Sequence, residues 1–528
     1  MTAPQPPLLL QKPEFLSTIL VPRDLFFSLF SLPQPGEKPT TCYHTKTGPM
    51  REKRSHLKKQ AMNSQDNSSD VPVFPRGRVR EAFDFLTRRT NYESFKLIPY
   101  DQMARSLERL RAALEALGNP DRSMRVIHLA GTKGKGSVAA MLRTALNASG
   151  YRTGLYTSPH IHKITERFAI DGAPCAEEQL ADAVFRMKGI LEERLTPSFR
   201  PEDWTFFELA TLSAFLIFQK ADVQWAVLET GLGGRFDATN ICRPEITVIT
   251  SIGYDHCELL GCALEDIAFE KGGIIKPKVP VVSGVPAEIP EDTGREYSRH
   301  GAFRETIRTG EKIIAAEEVI RRIAHEKDAP LLEVTDHTPS FEIPVLAMPG
   351  RHQRTNARIA LTTLDCLDRR GRLRLDKKRA LAAIETTTLP ARFEIVHTDP
   401  FFVIDGAHNR QSAAALADAL AEFAPKAKRT LFFAISEGKD AGGMLEELLP
   451  LFDRVFLTTY IGPRAMSAEK LAAAAGKIVP ALKKKPSISV ITEPEKLESI
   501  VQERLRCGTS EELLCATGSF YFVAHWSK

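Results

Sequence analysis

Short apolar runs recur along the chain, separated by segments in which apolar residues repeat every three or four positions. The runs of the first series have strand length and lie at 126–130, 153–157, 225–229, 245–250 and 279–283. Helical spacing occurs at 106–120, at 137–148 and near 177–193, and a longer apolar run covers 206–218. Alternation of this kind is typical of a mainly parallel sheet with helices on both faces.

A second series of the same kind begins near residue 390. Its strand-like runs are FFVID, RTLFFAI, DRVFLTT, SISVIT and LLCATG, and helical spacing occurs in QSAAALADALAEF and EKLAAAA. The pattern predicts an α/β protein with two domains. We expect a P-loop-type domain with a mostly parallel sheet over 79–388, followed by a smaller Rossmann-like α/β domain over 389–528.

The first 78 residues lack this alternation. Pro, Ser, Asn and Gln are frequent in PQPPLLLQKP and NSQDNSSD, and REKRSHLKKQ is a basic run. The apolar run at 25–32 follows Pro, Arg and Asp and does not have the order of a signal peptide. We expect residues 1–78 to form a disordered extension, or to lie upstream of the true start, for which Met50 and Met62 are candidates. A transit peptide is a further alternative.

Composition and charge limit the classes of partner. The chain has 528 residues, 43% of them hydrophobic and 26% charged, and no window reaches the roughly 18 consecutive apolar residues that span a bilayer. The net charge of +5 gives no reason to expect nucleic acid but is compatible with a small anionic substrate. The eight cysteines are scattered, which favours reduced thiols in a cytoplasmic protein. We expect a monomer with small-molecule partners, without nucleic acid or membrane.

The segment VIHLAGTKGKGS (126–137) joins the first predicted strand to a helix through a glycine-rich turn that carries two lysines. Such a turn exposes backbone N–H groups and the positive end of the helix dipole, and this geometry binds phosphate. We expect the helix to begin at Ser137, whose hydroxyl can face a metal. Lys135 can then reach the terminal phosphates of a nucleotide.

Two other interpretations of this turn are less favoured. The Walker spacing is not met, because Gly136 separates Lys135 from Ser137, so the segment can be merely a tight turn. GKGSVA (134–139) also fits a dinucleotide-binding pattern, which requires an acid about twenty residues further on. No Asp or Glu lies between Gly131 and Thr165, and a dehydrogenase is therefore disfavoured.

Polar side chains occur where the predicted strands end. Ser158 follows TGLYT, Glu229 ends WAVLE, and Asp255 and His256 follow ITVIT. The carboxyl ends of parallel strands share one edge of a sheet, where ligands bind in folds of this class. Ser158, Glu229 and His256 therefore predict a divalent-cation site beside the glycine-rich turn. Taken one at a time, each has a simpler explanation as a polar loop residue or a helix cap.

Nine segments carry a specific resemblance: AGTKGKGS, YTSPHIHKITERFAIDG, TFFELATLSAF, LETGLGGRFDATN, TSIGYDH, EKGGIIK, GRHQRTNARIA, PARFE and DGAHN. Their order is similar to that in folylpolyglutamate synthase and dihydrofolate synthase, relatives of the Mur ligases, and the similarity covers roughly 80–528. The resemblance implies a Mur-ligase-like fold and an ATP-dependent ligase. Such an enzyme adds L-glutamate to dihydropteroate or to the γ-carboxylate of reduced folates through an acyl phosphate. Because phosphoryl transfer depends on positioning and charge neutralisation, no protein nucleophile is required.

The resemblance also implies roles for individual residues. It assigns contacts with ATP to Gly131, Thr132, Gly134, Lys135, Gly136, Ser137, Asn356, Arg392 and Asp405. It assigns contacts with the pterin substrate to Thr205, Phe206, Phe207, Glu208, Phe236, Asp237 and Ala238. Ser158, Glu229 and His256 resemble ligands of Mg²⁺, and K⁺ is an additional candidate cation. The catalytic candidates are Lys135, Lys271 and His408, of which Lys271 matches a lysine that carries a carbamate in this family.

Four positions depart from the family's pattern: Lys133 replaces Asn, Gly273 replaces Ala, Ala391 replaces Gly and Arg410 replaces Pro. The two basic replacements bear on the affinity for the nucleotide. Competing functions are a Mur-type ligase that acts on a different carboxylate and a nucleotide-binding regulator without catalysis. TFFE and GGRFDATN count against the first, and the retained phosphate and metal positions count against the second. The sequence leaves open whether the product is dihydrofolate, polyglutamates or both.

Overall fold

The computed structural model describes residues 76–89, 100–195, 200, 203–261, 263–285, 303–335, 338, 342–462 and 464–527. These residues belong to one compact unit, Val73–Lys528. The predicted extension lies outside the described residues, except that its last three positions belong to a helix that begins at Arg76. No helix in the described part of the chain is long and apolar enough to cross a membrane.

Eight strands form the first sheet. They are β1 (Arg125–Ala130), β2 (Thr153–Tyr156), β3 (Phe168–Ile170), β4 (Ala173–Pro174), β5 (Trp225–Glu229), β6 (Pro244–Ile249), β7 (Val281–Ser283) and β8 (Leu331–Glu333). Their order is β4-β3-β2-β5-β1-β6-β7-β8. All neighbours pair in parallel except β3, which is antiparallel to both β2 and β4. The predicted mostly parallel sheet is confirmed, and the strands that break the rule are too short to form visible apolar runs.

In the part of the chain that the structure describes, ten helices accompany this sheet. They are α1 (Arg76–Thr87), α2 (Tyr100–Ala116), α3 (Lys135–Ala148), α4 (Glu177–Leu195), α5 (Phe206–Lys220), α6 (Cys257–Leu260), α7 (Leu264–Gly272), α8 (Phe303–Glu326), α9 (Arg351–Arg369) and α10 (Lys377–Glu385). The helix predicted from Ser137 begins two residues earlier, because Gly134 caps it in a left-handed conformation with φ +84°. Position 135 therefore lies in the first helical turn and not in the preceding loop.

The long apolar run at 206–218 is helix α5. Thr205 caps it, since its hydroxyl accepts from the N–H of Glu208 at 3.1 Å while a carboxylate oxygen of Glu208 accepts from the N–H of Thr205 at 2.7 Å. This reciprocal pair is a capping box. The helix is apolar on every side because it is packed inside the protein, with Phe207 the one partly exposed residue of the run.

A second sheet contains β9 (Glu394–Thr398), β10 (Phe401–Asp405), β11 (Lys428–Phe433), β12 (Arg454–Thr458), β13 (Ser487–Ile491) and β14 (Glu512–Thr517). Its order is β13-β12-β11-β14-β10-β9, parallel apart from the β9–β10 pair. Its helices are α11 (Arg410–Phe423), α12 (Ala441–Leu448), α13 (Ala468–Ile478), α14 (Pro494–Cys507) and α15 (Phe520–Val523). The smaller Rossmann-like α/β unit predicted from the second series is confirmed.

Side chains of β1 contribute to two hydrophobic cores, one on each face of the sheet. Val126 belongs to the core under α2 and α5, whereas Ile127 and Leu129 belong to the core under α3 and α9. Successive side chains of a strand point to opposite faces, so both faces of this strand are covered by helices. The carboxyl edge of the sheet, where β1, β5 and β6 end side by side, is the part of the strand layer available to a ligand.

Candidate active site

The phosphate loop, residues 131–137, connects β1 to α3 and is bonded to the chain that follows β6. Gly131 has no room for a side chain, because a Cβ there would lie 1.9 Å from Thr250 Oγ1. The hydroxyl of Thr250 donates to the carbonyl of Lys133 at 2.7 Å. The hydroxyl of Thr132 is buried and donates to a neighbouring backbone carbonyl at 3.0 Å. These bonds tie the loop to the segment that follows β6.

The first turn of α3 completes this loop. Its leading N–H groups have no partner within the helix, and the positive end of the helix dipole favours an anion there. A Cβ on Gly134 would lie 2.4 Å from Asn356 Oδ1, so two predicted nucleotide contacts lie against each other. A Cβ on Gly136 would lie 3.7 Å from a carboxylate oxygen of Glu229, and Ser137 is buried in the same turn. The loop therefore faces both a polar amide and an acid.

Two lysines converge on one carbonyl of the loop. Lys135 Nζ donates to the carbonyl of Gly131 at 3.0 Å, and Lys271 Nζ donates to it at 3.1 Å. Burial, with the charge of Lys135 acting in the same direction, lowers the pKa of Lys271 to about 7. Lys271 comes from the last turn of α7 and is almost completely buried. Its amine is therefore unprotonated in a substantial fraction of molecules at neutral pH, unlike that of an ordinary lysine.

The acid of the site is Glu229, the last residue of β5. One of its carboxylate oxygens lies 3.9 Å from Lys135 Nζ, and the other accepts from the N–H of Ser158 at 3.4 Å. Burial raises the pKa of Glu229, and the charge of Lys135 opposes that shift. A buried carboxylate whose charge is only partly balanced favours an additional cation. The predicted ligands Ser158 and Glu229 are thus adjacent.

His256, the third predicted ligand, belongs to the segment after β6 and has a left-handed backbone with φ +53°. Its Nε2 lies 3.7 Å from Asp255 Oδ1, and its side chain is half exposed. Burial lowers the pKa of His256, which Asp255 opposes and the charge of Lys271 reinforces. Within the described residues, no group of three or more His, Cys, Asp or Glu side chains is arranged to hold a metal. The oxygens of Ser158 and Glu229 fit Mg²⁺, which takes few protein ligands, usually oxygen, and keeps water and phosphate oxygens, whereas the imidazole of His256 is an atypical ligand for it.

The second sheet contributes Arg392 and Asp405. Asp405 ends β10, and its carboxylate accepts from the N–H groups of Phe393 and Ala407, each at 2.8 Å. The guanidinium of Arg392 lies 4.8 Å from the centre of the Phe520 ring. Burial raises the pKa of Asp405, and the charge of Arg392 opposes that shift. The charge of Arg392 also lowers the pKa of Glu229 in the first sheet. The two sheets therefore bring charged residues to one place.

His408 lies in the turn after β10. Its Nδ1 lies 2.9 Å from the carbonyl of Gly406, a contact that assigns the ring proton to Nδ1 and leaves Nε2 as an acceptor. Burial, together with the charge of Lys133, lowers the pKa of His408 to about 4. The imidazole is therefore neutral at physiological pH.

The predicted pterin positions separate into two groups. Phe207 and Phe236 are partly exposed, and the Phe207 ring lies 5.7 Å from that of Tyr156. A Cβ on Gly231 would lie 2.7 Å from the Phe207 ring, so Phe207 borders the chain that follows β5. The group therefore offers a flat aromatic face close to the acid of the site.

The other pterin candidates have partners within the chain. Phe206 is buried under the guanidinium of Arg167, and the carboxylate of Glu208 is bonded to Arg109 at 2.8 Å as well as to the helix cap. Asp237 accepts from the N–H groups of residues 231 and 232, at 2.8 and 2.9 Å. Thr205 is the helix cap already described, and Ala238 is buried. The polar side chains of this group are therefore bonded within the chain.

The departures from the family pattern have local explanations. Lys133 Nζ is paired with Asp255 Oδ2 at 2.9 Å, and Arg410 Nε with Glu447 Oε1 at 2.8 Å. Both added charges are therefore compensated by carboxylates. Gly273 has no room for the alanine of the family pattern, because its Cβ would lie 2.3 Å from the Cβ of Arg235. Ala391 has φ +53°, a conformation that glycine adopts more readily.

Sequence reasoning did not identify Arg167, which is 1% exposed. Its Nε donates to His160 Nδ1 at 2.8 Å, and its charge acts on Glu229. Arg167 thus links the segment that carries Ser158 to the acid of the site. In the sequence, Arg167 is distinguished only by its place in the segment ITERF. Its burial depends on tertiary packing, which the sequence pattern does not report.

The chain is similar to known proteins over most of its length. Residues 129–364 match the Mur ligase middle domain, and residues 391–520 match the Mur ligase glutamate ligase domain. A Bacillus subtilis dihydrofolate synthase/folylpolyglutamate synthase is 30% identical over 429 residues, which cover 80% of this chain and 94% of that protein.

Two solved structures are similar in fold. E. coli FolC in complex with DHPP and ADP has a TM-score of 0.64 at 27% identity, covering 85% of this chain and 96% of that one. A Yersinia pestis bifunctional folylpolyglutamate synthase/dihydrofolate synthase with AMPPNP and Mn ion has a TM-score of 0.64 at 26% identity, with the same coverage.

Proposed function

The chain belongs to the dihydrofolate synthase/folylpolyglutamate synthase family of Mur ligases and is an ATP-dependent ligase that joins glutamate to folates; we propose that it does so through an acyl phosphate formed at the phosphate loop. The observation that carries the proposal is the convergence of Lys135 and Lys271 on the carbonyl of Gly131, with Glu229 beside Lys135. This arrangement offers a cation, Lys135, for phosphate oxygens, an amine at Lys271 that readily loses its proton, and an acid for a metal.

ATP is held by groups from both sheets. We assign its phosphates to the N–H groups of residues 131–137 and to Lys135, and the remaining contacts to Asn356, Arg392 and Asp405. A divalent cation held by Ser158, Glu229 and His256 supplies charge neutralisation on the phosphate oxygens. K⁺ is proposed as an additional cation, and replacement by Na⁺ in the assay tests it.

The first chemical step activates the acceptor. An oxygen of its carboxylate attacks the γ-phosphorus, the bond from that phosphorus to the bridging oxygen breaks, and ADP leaves. Charge on the transferred group is neutralised by Lys135, which reaches it from the first turn of α3. We propose that Lys271 takes up carbon dioxide on its unprotonated amine and, as a carbamate, adds a negative charge on the metal side.

The second step forms the amide. The neutral amine of L-glutamate attacks the acyl carbon, its surplus proton passes to water or to the departing phosphate, and the carbon–oxygen bond to phosphate breaks. His408 accepts a hydrogen bond from the amine at Nε2, which is free because Nδ1–H faces the carbonyl of Gly406. With a pKa of about 4, the imidazole orients the amine and is too weak a base to deprotonate an ammonium group.

We propose dihydropteroate and reduced folates as acceptors, with the pterin stacked on Phe207, the partly exposed ring of its segment. Purified protein with ATP, Mg²⁺ and glutamate should be assayed separately with dihydropteroate and with tetrahydrofolate. The acceptor carboxylate should carry ¹⁸O. An acyl phosphate transfers one ¹⁸O to inorganic phosphate for each amide formed, and unlabelled phosphate alongside amide would exclude that intermediate. Turnover with neither acceptor would favour a ligase for a different carboxylate.

A further inference from the structure

A pocket of about 340 Å³ lies beside the amino-terminal ends of two strands of the first sheet, whereas the phosphate loop lies at their carboxyl ends. We call it the basic pocket; it is lined by Arg111, Asn240, Ile241, Cys242, Arg243, Pro244, Lys276 and Val279. Pro244 is the first residue of β6, and Val279 precedes β7. A six-residue strand is roughly 17–20 Å long, so the length of the sheet separates this pocket from the carboxyl edge where the phosphate loop lies.

The lining contains three cations, Arg111, Arg243 and Lys276, and no acid. Within the described part of the chain, none of the three forms an ion pair with a carboxylate within 4.0 Å. Elsewhere in this region basic side chains are paired, as Arg372 is with Glu245 at 3.2 Å. The pocket therefore concentrates positive charge that the described chain does not compensate.

Lys276 is the most enclosed of the three cations. Its Nζ donates to the backbone carbonyl of Asn240 at 3.0 Å and to the side-chain oxygen of the same residue at 2.7 Å. An ammonium group has three donors, so one remains for a ligand. Burial lowers the pKa of Lys276, and the charges of Lys327 and Arg111 lower it further. An anion in the pocket would relieve this repulsion.

One acid, Asp121, interacts with Arg243 without belonging to the lining of the pocket. Asp121 is buried, and one of its carboxylate oxygens has no partner within the described chain. Burial raises the pKa of Asp121 while Arg243 and Arg122 act against the shift. Of the three cations in the lining, Arg243 is the one that acts on Asp121, so Arg111 and Lys276 stay available to a ligand.

We propose that the basic pocket binds a small anion with several negative charges, carried by phosphate or carboxylate groups. Guanidinium groups present a planar fork that matches the oxygens of either group. The volume is at the lower end for ligand sites, which suits a compact anion and excludes a whole nucleotide with its base and sugar. The pocket recognises the negatively charged oxygens that phosphate and carboxylate groups have in common. Titration with one probe of each kind distinguishes the two.

Calorimetric titration of the full-length protein tests the proposal. Pyrophosphate and citrate should be titrated separately, with ADP at saturation to fill the phosphate loop and without Mg²⁺, which both probes chelate. We expect saturable binding of at least one probe, weakening as salt is raised. Tighter binding of pyrophosphate assigns the pocket to phosphate ligands, and tighter binding of citrate assigns it to carboxylates.

Variants locate the binding. In Arg111→Gln/Arg243→Gln the affinity should fall roughly tenfold or more, because charge-assisted hydrogen bonds are lost. The exposed Arg370→Gln is the matched control and should bind as the unmodified protein does. Arg111→Glu provides a second variant at an exposed helical position. ADP affinity and the melting temperature without probe show that each variant is folded. Equal affinity in the double variant, or no saturable binding of either probe, would overturn the proposal.

Discussion

At the scale of single residues, Lys271 combines burial with a neighbouring cation, and its pKa falls to about 7. Below that pH its amine is an ammonium group and cannot form a carbamate; above it the amine is available. We therefore expect that protein depleted of carbon dioxide regains activity on adding bicarbonate, and that the recovery is lost as pH falls through about 7. Initial rates across this pH range, with and without bicarbonate, measure the effect.

The side chain itself is tested by Lys271→Ala. This variant should be nearly inactive, and acetate should restore part of the activity by supplying a carboxylate in the vacated space, whereas chloride should not. An active alanine variant would remove the carbamate from the mechanism.

Phe207 is predicted to carry specificity for the pterin. Phe207→Ala should raise the KM for dihydropteroate more than the KM for ATP, by an amount equivalent to about 1–3 kcal/mol if a ring stack is lost. Phe207→Leu keeps the bulk against Tyr156 and Gly231 but removes the ring, so it should raise the same KM with little change in the free energy of unfolding. Equal changes in both KM values would instead indicate a packing role.

At the scale of elements, the start of α3 depends on a glycine for two separable reasons. Gly134 has φ +84° and would direct a Cβ to 2.4 Å from Asn356 Oδ1, whereas Gly118 has the same φ with nothing within 4 Å. Gly118→Ala should therefore cost about 1 kcal/mol in the free energy of unfolding, from the backbone alone. Gly134→Ala should cost more and should also raise the KM for ATP. Urea unfolding and initial rates compare the pair, and equal losses would mean that Asn356 moves aside freely.

Elements with strong patterning were predictable from sequence, and those set by contacts were not. The Leu107 and Leu110 face of α2 and ten strands of the two sheets follow from spacing, whereas β8 and β9 were not predicted. Strands β3 and β4 have only three and two residues, too few for a pattern, and the burial of α5 on every side removes the polar stripe that marks a surface helix.

The candidate site divides in a similar way. Strand ends placed Glu229 and Ser158 together, because parallel strands finish at one edge. The pairing of Lys133 with Asp255 and the burial of Arg167 depend on contacts between segments far apart in the chain. The spacing of residues in the sequence does not report such contacts. The hydrogen bond between Arg109 and the buried carboxylate of Glu208 is another contact of this kind.

At the scale of the whole molecule, the two sheets meet through α9 and α11. A Cβ on Gly350, which precedes α9, would lie 3.2 Å from that of Ala419 in α11. Arg354 Nη1 and Glu422 Oε1 form an ion pair of 2.7 Å between the same helices, with both side chains 46% exposed. Because the proposed ATP contacts come from both sheets, the relative position of these helices should affect nucleotide binding.

Arg354→Glu places two like charges across this contact. Exposed ion pairs contribute about 1 kcal/mol or less, so the free energy of unfolding should change little, while the KM for ATP should rise roughly two- to fivefold and more strongly at low salt. The exchanged pair, Arg354→Glu/Glu422→Arg, should return the KM to that of the unmodified protein. Lys470→Glu is the matched control, since it breaks an exposed pair with Glu437 inside the region of the second sheet and should leave the KM unchanged. If the exchanged pair fails to restore the KM, the effect belongs to Arg354 itself and not to attraction between the two helices.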